Sequence, residues 1–265
     1  MPFFTSNGAN IHVDVAGAGA PLLMIHSLTL DHRQWSAQRE ALLQEHRVFR
    51  MDLRGHGRSA ATTHGHTWSG FAQDVQRAMV QVGMERLHPG FLVAHAHAAD
   101  AVLQAALAEP RSLRAVVVVA PVVSGCALSE AWRERMRRMR QHAAAGELES
   151  ALELFRADPV FAGVRAQADL EAGVRDMQAR FSGAFLYDDD DAGTPTLERL
   201  ADCKVPILVV RPQRDRADLR EAASAIAARA PRARVVECAA VGHFANLEGP
   251  ELFNEILRDC IAEHA

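Results

Sequence analysis

The stretch Phe91-Leu92-Val93-Ala94-His95-Ala96-His97-Ala98 decides the fold, because an apolar run changes within it to a helical pattern. Residues 91–94 predict a buried strand, and residues 97–109 predict the helix that follows it. The next apolar run, 114–120, is mostly valine, as expected for a strand that is covered on both faces of a sheet. A strand, a helix and a second strand in this order predict two parallel strands joined by a crossover helix.

The same alternation of strand and helix recurs on both sides of this stretch. Further strands are predicted over 21–26, 48–53, 205–210 and 234–238, and further helices over 33–44, 67–83, 218–230 and 250–262. Residues 124–192 contain helical patterns but no convincing strand. The sequence therefore predicts an α/β protein with a mostly parallel, doubly wound sheet. Residues 1–123 and 193–265 form its core, and residues 124–192 form an inserted helical cap.

Composition limits the classes of function. The chain has 265 residues, of which 49% are hydrophobic, enough for one large domain with an insertion. It has 29 Lys and Arg against 33 Asp and Glu, and this net charge of −4 argues against a nucleic-acid partner, which requires a basic face. No apolar run is long enough to span a membrane, and the first residues lack the pattern of a secretory signal. We therefore expect a cytoplasmic protein that acts on a small molecule, and a homodimer remains open.

Cysteine and histidine spacing argues against a metal centre. The four cysteines are widely spaced, at Cys126, Cys203, Cys238 and Cys260. There is no C-x-x-C and no H-E-x-x-H, and the pairs His64/His66 and His95/His97 have no further ligand at a suitable spacing. No G-x-G-x-x-G follows a strand, and no phosphate-binding loop is present. The sequence therefore predicts neither a metal nor a cofactor.

Two loops that follow predicted strands hold an acid and a histidine. Asp215 comes shortly after the strand that ends at Val210, and His243 follows the next strand. Ligands of open α/β sheets bind outside the carboxyl ends of the strands, so both residues lie at the expected place. An acid followed by a histidine in this order occurs in sites built for acyl transfer. There the carboxylate orients the imidazole, and the imidazole removes a proton from a nucleophile.

The chain resembles the α/β-hydrolase fold over nearly its whole length. The motifs that carry the resemblance are His26-Ser27-Leu28, Asp52-Leu53-Arg54-Gly55-His56-Gly57-Arg58-Ser59, the segment 94–98, Asp215 and Gly242-His243. Within this superfamily, residues 27–35 and the Arg-Gly-His-Gly loop are similar to 3-oxoadipate enol-lactonases and related small esterases. The resemblance implies hydrolysis of a small ester or lactone by a Ser-His-Asp triad. It also implies an oxyanion hole formed by the backbone N–H groups of Leu28 and His97.

The chain departs from the family at the nucleophile. The family has a serine at the centre of G-x-S-x-G, and the corresponding segment here is Ala94-His95-Ala96-His97-Ala98. Ala96 therefore occupies the nucleophile position, and its methyl group cannot attack a carbonyl. The two oxyanion donors are backbone groups, so they survive the loss of the hydroxyl.

Three explanations of Ala96 remain open. In the first, the native hydrolase has a serine and this chain carries an inactivating change. A non-glycine residue held at positive φ at the elbow costs roughly 1–2 kcal/mol, and a chain without a nucleophile gains nothing from that strain. In the second, His243 and Asp215 act as a general base in a natural lyase, cyclase or cofactor-free oxygenase. Ala94 and Ala98 favour it, because one engineered change would leave native glycines in place. In the third, the chain is a non-catalytic binding protein, which the intact acid and histidine disfavour.

Substrate contacts are expected in the cap and in the loop after the first buried strand. Trp132, Met136 and Met139 recur at helical spacing after Ser129, a candidate N-cap. This apolar stripe either lines the pocket or packs on the core. The arginine-rich remainder of the helix is either a solvated face or a surface that attracts an anionic substrate. The Ser27 hydroxyl either contacts substrate or satisfies its own loop, and we take Ser27, Trp132 and Met136 as candidate substrate contacts.

Overall fold

An eight-stranded sheet runs through the part of the chain that the computed structural model describes, residues 2–188 and 193–265. Its strands are β1 (Phe3–Ser6), β2 (Ala9–Ala16), β3 (Ala20–Ile25), β4 (His46–Met51), β5 (Gly90–His95), β6 (Leu113–Val119), β7 (Ile207–Pro212) and β8 (Ala233–Cys238). They lie in the order β1-β2-β4-β3-β5-β6-β7-β8. The pairs β1–β2 and β2–β4 are antiparallel, and all other pairs are parallel.

Helices cover both faces of this sheet. The described residues form the helices α1 (Ser36–Leu42), α2 (Trp68–Gln81), α3 (Ala98–Ala108), α4 (Glu130–Ala144), α5 (Leu148–Arg156), α6 (Ala162–Arg165), α7 (Ala168–Gln178), α8 (Thr196–Arg199), α9 (Ala217–Arg229), α10 (Ala245–Glu248) and α11 (Pro250–Glu263). Successive residues of β5 point to opposite faces, so Leu92 packs with α2, α3 and α9, whereas Val93 packs with α1 and α11. None of the helices in the described ranges is long and apolar enough to cross a membrane.

The predicted α/β fold with a doubly wound, mostly parallel sheet is confirmed. All six predicted strands are present within two residues of the expected bounds, whereas the hairpin of β1 and β2 was not predicted. Asn7 and Gly8 join these two strands, both at positive φ, and an Asn-Gly pair is a strong hairpin signal that could have revealed them. The helix expected over 33–44 is shorter, because a 3₁₀ turn over His32–Trp35 precedes α1.

A purely helical segment lies between β6 and β7. It holds α4 to α7, and no strand occurs among its described residues, 124–188. The last residues of the predicted cap, 189–192, lie outside the described residues, and the domain boundaries stay a prediction. Ser129 caps α4 as expected, since its hydroxyl accepts a hydrogen bond from the N–H of Trp132. The N–H of Ser129 also donates to Asp218 Oδ2 at 2.8 Å, which fixes the start of α4 against α9.

Candidate active site

The turn between β5 and α3 has the sharp backbone geometry of a nucleophile elbow. Ala96 is fully buried and has a φ of +48°, in the left-handed region that alanine rarely adopts. Two hydrogen bonds to the neighbouring strand and its loop hold the turn. The Ala96 N–H donates to Val119 at 2.9 Å, and the Ala96 carbonyl accepts from Val122 at 3.1 Å. The fold therefore keeps a strained turn of about 1–2 kcal/mol at a residue that presents only a methyl group.

Asp215 and His243 are in direct contact, as the sequence predicts. His243 Nδ1 donates to Asp215 Oδ2 at 2.9 Å, and the other carboxylate oxygen accepts from the Arg216 N–H at 2.8 Å. The side chains are 5% and 1% exposed. No residue in the described ranges forms a hydrogen bond with His243 Nε2, so the lone pair of a neutral imidazole is available on that nitrogen. This is the arrangement of an oriented general base.

His95 ties this base to the elbow. Its Nε2–H donates to the carbonyl oxygen of His243 at 2.9 Å, and the two rings lie 4.8 Å apart. Burial lowers the pKa of His95 well below its ordinary value, and the charge of His243 lowers it further, so His95 is neutral at physiological pH. His95 directly precedes Ala96, and this contact therefore fixes His243 relative to the nucleophile position. This contact could not be predicted from the sequence, because the two residues are far apart in the chain.

The two predicted oxyanion donors are free to bind a ligand. No acceptor within the described part of the chain receives the N–H of Leu28 or of His97, although both residues are buried. Buried N–H groups without partners are rare in folded proteins, and they commonly mark a binding position. Thr29, at a φ of +69°, shapes the turn that carries Leu28, and Gln178 Nε2 donates to its hydroxyl at 3.0 Å. The oxyanion role of Leu28 and His97 stays a prediction.

A cavity of about 490 Å³ lies between the elbow and α4. Trp132 and Met136 line it, as the sequence suggested for the apolar stripe, whereas Met139 is buried in the core and Ser27 is not part of the lining. Ser27 donates its N–H to Gln34 Oε1 at 2.8 Å, and its role in substrate binding stays a prediction. A larger groove of about 570 Å³, near Asn7 and the carboxyl end of α2, contains none of the candidate site residues.

Aromatic rings form one wall of this cavity, and two of them, Trp68 and Phe185, are not among the residues predicted from the sequence. The His97 imidazole stacks on Trp68 with a centroid distance of 5.6 Å, and it lies 5.5 Å from Trp132. Phe185 completes this wall. Burial lowers the pKa of His97 to about 3, with smaller contributions from His243 and Arg216. Trp68 begins a predicted helix at the carboxyl edge of the sheet, and that position is the one signal that could have identified it.

Arg216 connects the acid loop to the helical segment. Its guanidinium lies 4.9 Å above the Trp132 ring and donates to Ser129 Oγ at 3.0 Å. It also forms ion pairs with Asp218 and with the buried carboxylate of Asp158. These contacts fix α4, and with it one wall of the cavity, relative to the residue that follows Asp215.

Cys126 also lines the cavity, but its chemistry does not suit a replacement nucleophile. Burial and, to a smaller extent, the carboxylate of Asp100 together raise the pKa of its thiol to about 11. The thiol is therefore protonated at neutral pH, whereas a reactive cysteine requires the thiolate.

A second buried cluster holds the Asp52 motif loop in place. Asp52 accepts a hydrogen bond from His12 Nδ1 at 2.9 Å and one from the backbone N–H of Arg58 at 3.0 Å. It also accepts two from His32, from the backbone N–H at 2.6 Å and from the ring Nδ1 at 2.9 Å. Burial alone would raise the pKa of Asp52, but the hydrogen bonds from His12 and His32 hold it far below its usual range. Two imidazoles and a carboxylate also form a metal-ligand set, yet here both Nδ1 atoms donate protons, whereas a metal needs them deprotonated.

Comparison with known proteins agrees with this geometry. Residues 22–256 match the family model described as "Alpha/beta hydrolase family". The chain is 28% identical to a protein named "Putative carbamate hydrolase RutD" from Azorhizobium caulinodans, over 97% of each chain. Its fold is similar to that of an enol-lactonase from Burkholderia xenovorans, with a TM-score of 0.79 and 22% identity over 98% of this chain and 100% of the other. An esterase from Exiguobacterium antarcticum gives a TM-score of 0.83 and 18% identity over 98% of each chain. The chain belongs to the alpha/beta hydrolase family.

Proposed function

We propose that this chain hydrolyses a small ester or lactone slowly, with His243 as a general base and without a covalent intermediate. The observation that carries this proposal is the 2.9 Å hydrogen bond from His243 Nδ1 to Asp215, beside an elbow whose central residue is Ala96. The names of the relatives support a carbonyl substrate, since they describe a carbamate hydrolase, an enol-lactonase and an esterase.

The reaction follows from the groups that are present. His243 Nε2 removes a proton from a water molecule, and the hydroxide that forms adds to the carbonyl carbon of the substrate. Asp215 stabilises the resulting imidazolium. The carbonyl oxygen, now an oxyanion, accepts hydrogen bonds from the N–H groups of Leu28 and His97, and each such donor is worth roughly 3 kcal/mol. The bond to the leaving oxygen then breaks, and that oxygen takes the proton from His243.

The rate expected for this route is modest. Sites of this kind that lack their nucleophile retain roughly 10³–10⁴-fold acceleration over water, because binding and the oxyanion donors remain. We also propose that residues 124–192 are the cap of this site. Its helix α4 supplies Trp132 and Met136 to the cavity wall, and Arg216 holds that helix beside the acid loop.

A second candidate function is favoured by the backbone at Ala96. A φ of +48° is the strained backbone with which a nucleophile elbow presents its reacting side chain, so the chain also fits an inactive form of a serine hydrolase. In this case no water molecule is placed for attack within reach of His243, so the site as it stands only binds its substrate. The test below also covers a third possibility, in which His243 removes a proton from a substrate C–H bond and not from water.

Restoring the hydroxyl separates these functions. Ala96→Ser is assayed on p-nitrophenyl acetate and on a simple enol lactone, beside the unmodified chain and the double variant Ala96→Ser/His243→Ala. Ala98→Ser is the matched control, because it adds the same hydroxyl two residues after the elbow, at the first residue of α3. We expect at least about 100-fold faster turnover with a burst for Ala96→Ser only, and loss of that gain in the double variant.

The unmodified chain then decides between the two candidates. Slow hydrolysis that disappears in His243→Ala supports direct activation of water. No hydrolysis by the unmodified chain, with an active Ala96→Ser variant, supports the inactive serine hydrolase. If neither the unmodified chain nor folded Ala96→Ser hydrolyses either substrate, both candidates are refuted, and a His243-dependent change at a substrate C–H bond becomes the remaining enzymatic hypothesis.

A further inference from the structure

The turn that carries Leu28 has a backbone conformation that its own residues do not favour. The Leu30 N–H donates to the carbonyl of Ser27 at 3.2 Å and closes a four-residue turn, in which Thr29 is the third residue. The φ of Thr29 is +69°, and a positive φ at this position of a β-turn favours glycine or asparagine. Threonine is β-branched, and a branched residue with positive φ is rare in folded proteins. Contacts from outside the turn must therefore hold Thr29, and with it the direction of the Leu28 N–H.

The core of the protein holds the start of this turn, whereas the helical segment holds Thr29. The Ser27 N–H donates to Gln34 Oε1 at 2.8 Å, and His26 Nδ1 donates to the Ser27 carbonyl at 2.7 Å. Among the described residues, the hydrogen bond to the Thr29 hydroxyl comes from Gln178 Nε2, at 3.0 Å. Gln178 is the last residue of α7. Thr29 and Gln178 are 0% and 1% exposed, so water does not take the place of this bond.

Arg156 fixes the orientation of the Gln178 amide. Its guanidinium donates to Gln178 Oε1 at 3.1 Å. A guanidinium has no acceptor, so the amide oxygen faces Arg156 and the amide NH₂ group faces Thr29. Arg156 is the last residue of α5, is buried, and pairs with Glu149 at the surface. Two helices of the helical segment therefore contribute to one chain of hydrogen bonds that ends at the turn.

We propose that Gln178 is a positioning residue for the oxyanion site. It holds Thr29 in the left-handed conformation and thereby directs the Leu28 N–H toward the place where the oxyanion forms. The helical segment then does more than cover the site, because α5 and α7 complete one of its two oxyanion donors. A displacement of α7 withdraws that donor. This inference rests on the proposed function for the role of Leu28 as an oxyanion donor.

The amide resonance of Leu28 measures this positioning directly, in a proton–nitrogen correlation spectrum of the isotope-labelled chain. The probe is phenyl methylphosphonate, a tetrahedral monoanion that resembles the oxyanion intermediate of ester hydrolysis. Saturation with this probe should move the Leu28 amide proton downfield, because the N–H then donates to an anionic oxygen. Gln178→Met keeps the length of the side chain and Thr29→Val keeps its branching. Each of them should reduce the shift by more than half.

Turnover of p-nitrophenyl acetate gives a second readout, in the Ala96→Ser background. Loss of one oxyanion donor costs roughly 10²–10³-fold in kcat, and a displaced donor keeps part of its effect. We therefore expect Gln178→Met to lower kcat about 10- to 30-fold and to change KM less than about 2-fold, since the donor acts in the transition state. Thr29→Ser keeps the hydroxyl and should keep kcat within about 3-fold.

Thr196→Val is the matched control for Thr29→Val. Thr196 is 1% exposed, and its hydroxyl donates to Asp100 Oδ1 at 2.8 Å, so the same buried hydroxyl is lost outside the turn. This variant should leave the Leu28 shift in place and change kcat less than about 2-fold. Urea midpoints of all variants show the stability that each substitution costs.

A purely structural role of Gln178 would lower the urea midpoint of Gln178→Met and leave both readouts of the folded variant unchanged, and that result refutes the proposal. A Leu28 amide that does not respond to the phosphonate in the unmodified chain also refutes it, whereas turnover by Ala96→Ser would still support hydrolysis. If Ala96→Ser is inactive, the proposed function fails, and the Leu28 resonance alone decides whether Gln178 positions the N–H.

Discussion

Replacing Ala96 with glycine measures the strain of the elbow. Ala101, in the interior of α3, is the reference, because both alanines are fully buried and Ala101 has helical backbone geometry. Either substitution removes a buried methyl group, which costs about 0.8 kcal/mol, and introduces glycine, which costs roughly 0.5–1 kcal/mol in chain entropy. At Ala96 the left-handed backbone costs alanine about 1–2 kcal/mol, and glycine releases that cost. We therefore expect Ala101→Gly to lose about 1.3–1.8 kcal/mol of unfolding free energy and Ala96→Gly to stay near the unmodified chain.

The assay is urea unfolding followed by circular dichroism, with melting temperatures as a second measure. A difference of 1–2 kcal/mol between the variants corresponds to roughly 2–8 °C in a chain of this size. Ala120→Gly repeats the test at a second fully buried alanine, where φ is +47°. If Ala96→Gly destabilises the chain as much as Ala101→Gly, the backbone at residue 96 is not strained and the left-handed geometry of the elbow is wrong.

Three further predictions follow from buried polar groups. Asp74→Ala leaves the buried Arg54 guanidinium without its two 2.6 Å hydrogen bonds, so we expect urea unfolding to show a loss of about 3–5 kcal/mol in unfolding free energy. The double variant Arg54→Leu/Asp74→Leu should lose less, because no charge stays buried, and equal losses would contradict this. Burial lowers the pKa of His56 to about 3, so below pH 6.5 the unfolded chain binds a proton that the folded chain does not. Stability that is full above pH 6.5 should therefore decrease toward pH 3, by about 2 kcal/mol for this group at pH 5, and His56→Phe should flatten urea midpoints measured between pH 7.5 and 5. In an active Ala96→Ser background, Asp215→Asn should lower the turnover number about 10⁴-fold, and a loss below 10-fold would show that the carboxylate does not orient His243.

Apolar patterning predicted the sheet because burial on both faces leaves a strong local signal. The strands around Val93 and Val117 are continuous apolar runs, and their bounds follow directly from them. The hairpin of β1 and β2 lies at the edge of the sheet, where polar residues alternate with apolar ones and the pattern is weaker. This hairpin is therefore the part of the sheet that apolar runs identify least well.

The candidate site was partly predictable for a different reason. Asp215 and His243 each follow a strand, so the direction of the parallel strands is enough to place them at one edge. His95 and Arg216 act through contacts with His243 and with α4, and such contacts join residues that are distant in the chain. The cluster of His12, His32 and Asp52 depends on three separate loops and strands in the same way. Spacing along a single sequence contains no information about such contacts.

The bond from His95 to the carbonyl of His243 makes the position of His243 independent of the side chain at residue 96. In many triads the nucleophile itself is one of the contacts that keep the histidine ring in place, so mutation of the nucleophile loosens what remains. Here the hydrogen bond comes from His95, the residue before Ala96, and is accepted by the main-chain oxygen of His243. A hydroxyl can therefore be added or removed at residue 96 without breaking the hydrogen bond that holds His243 beside the elbow.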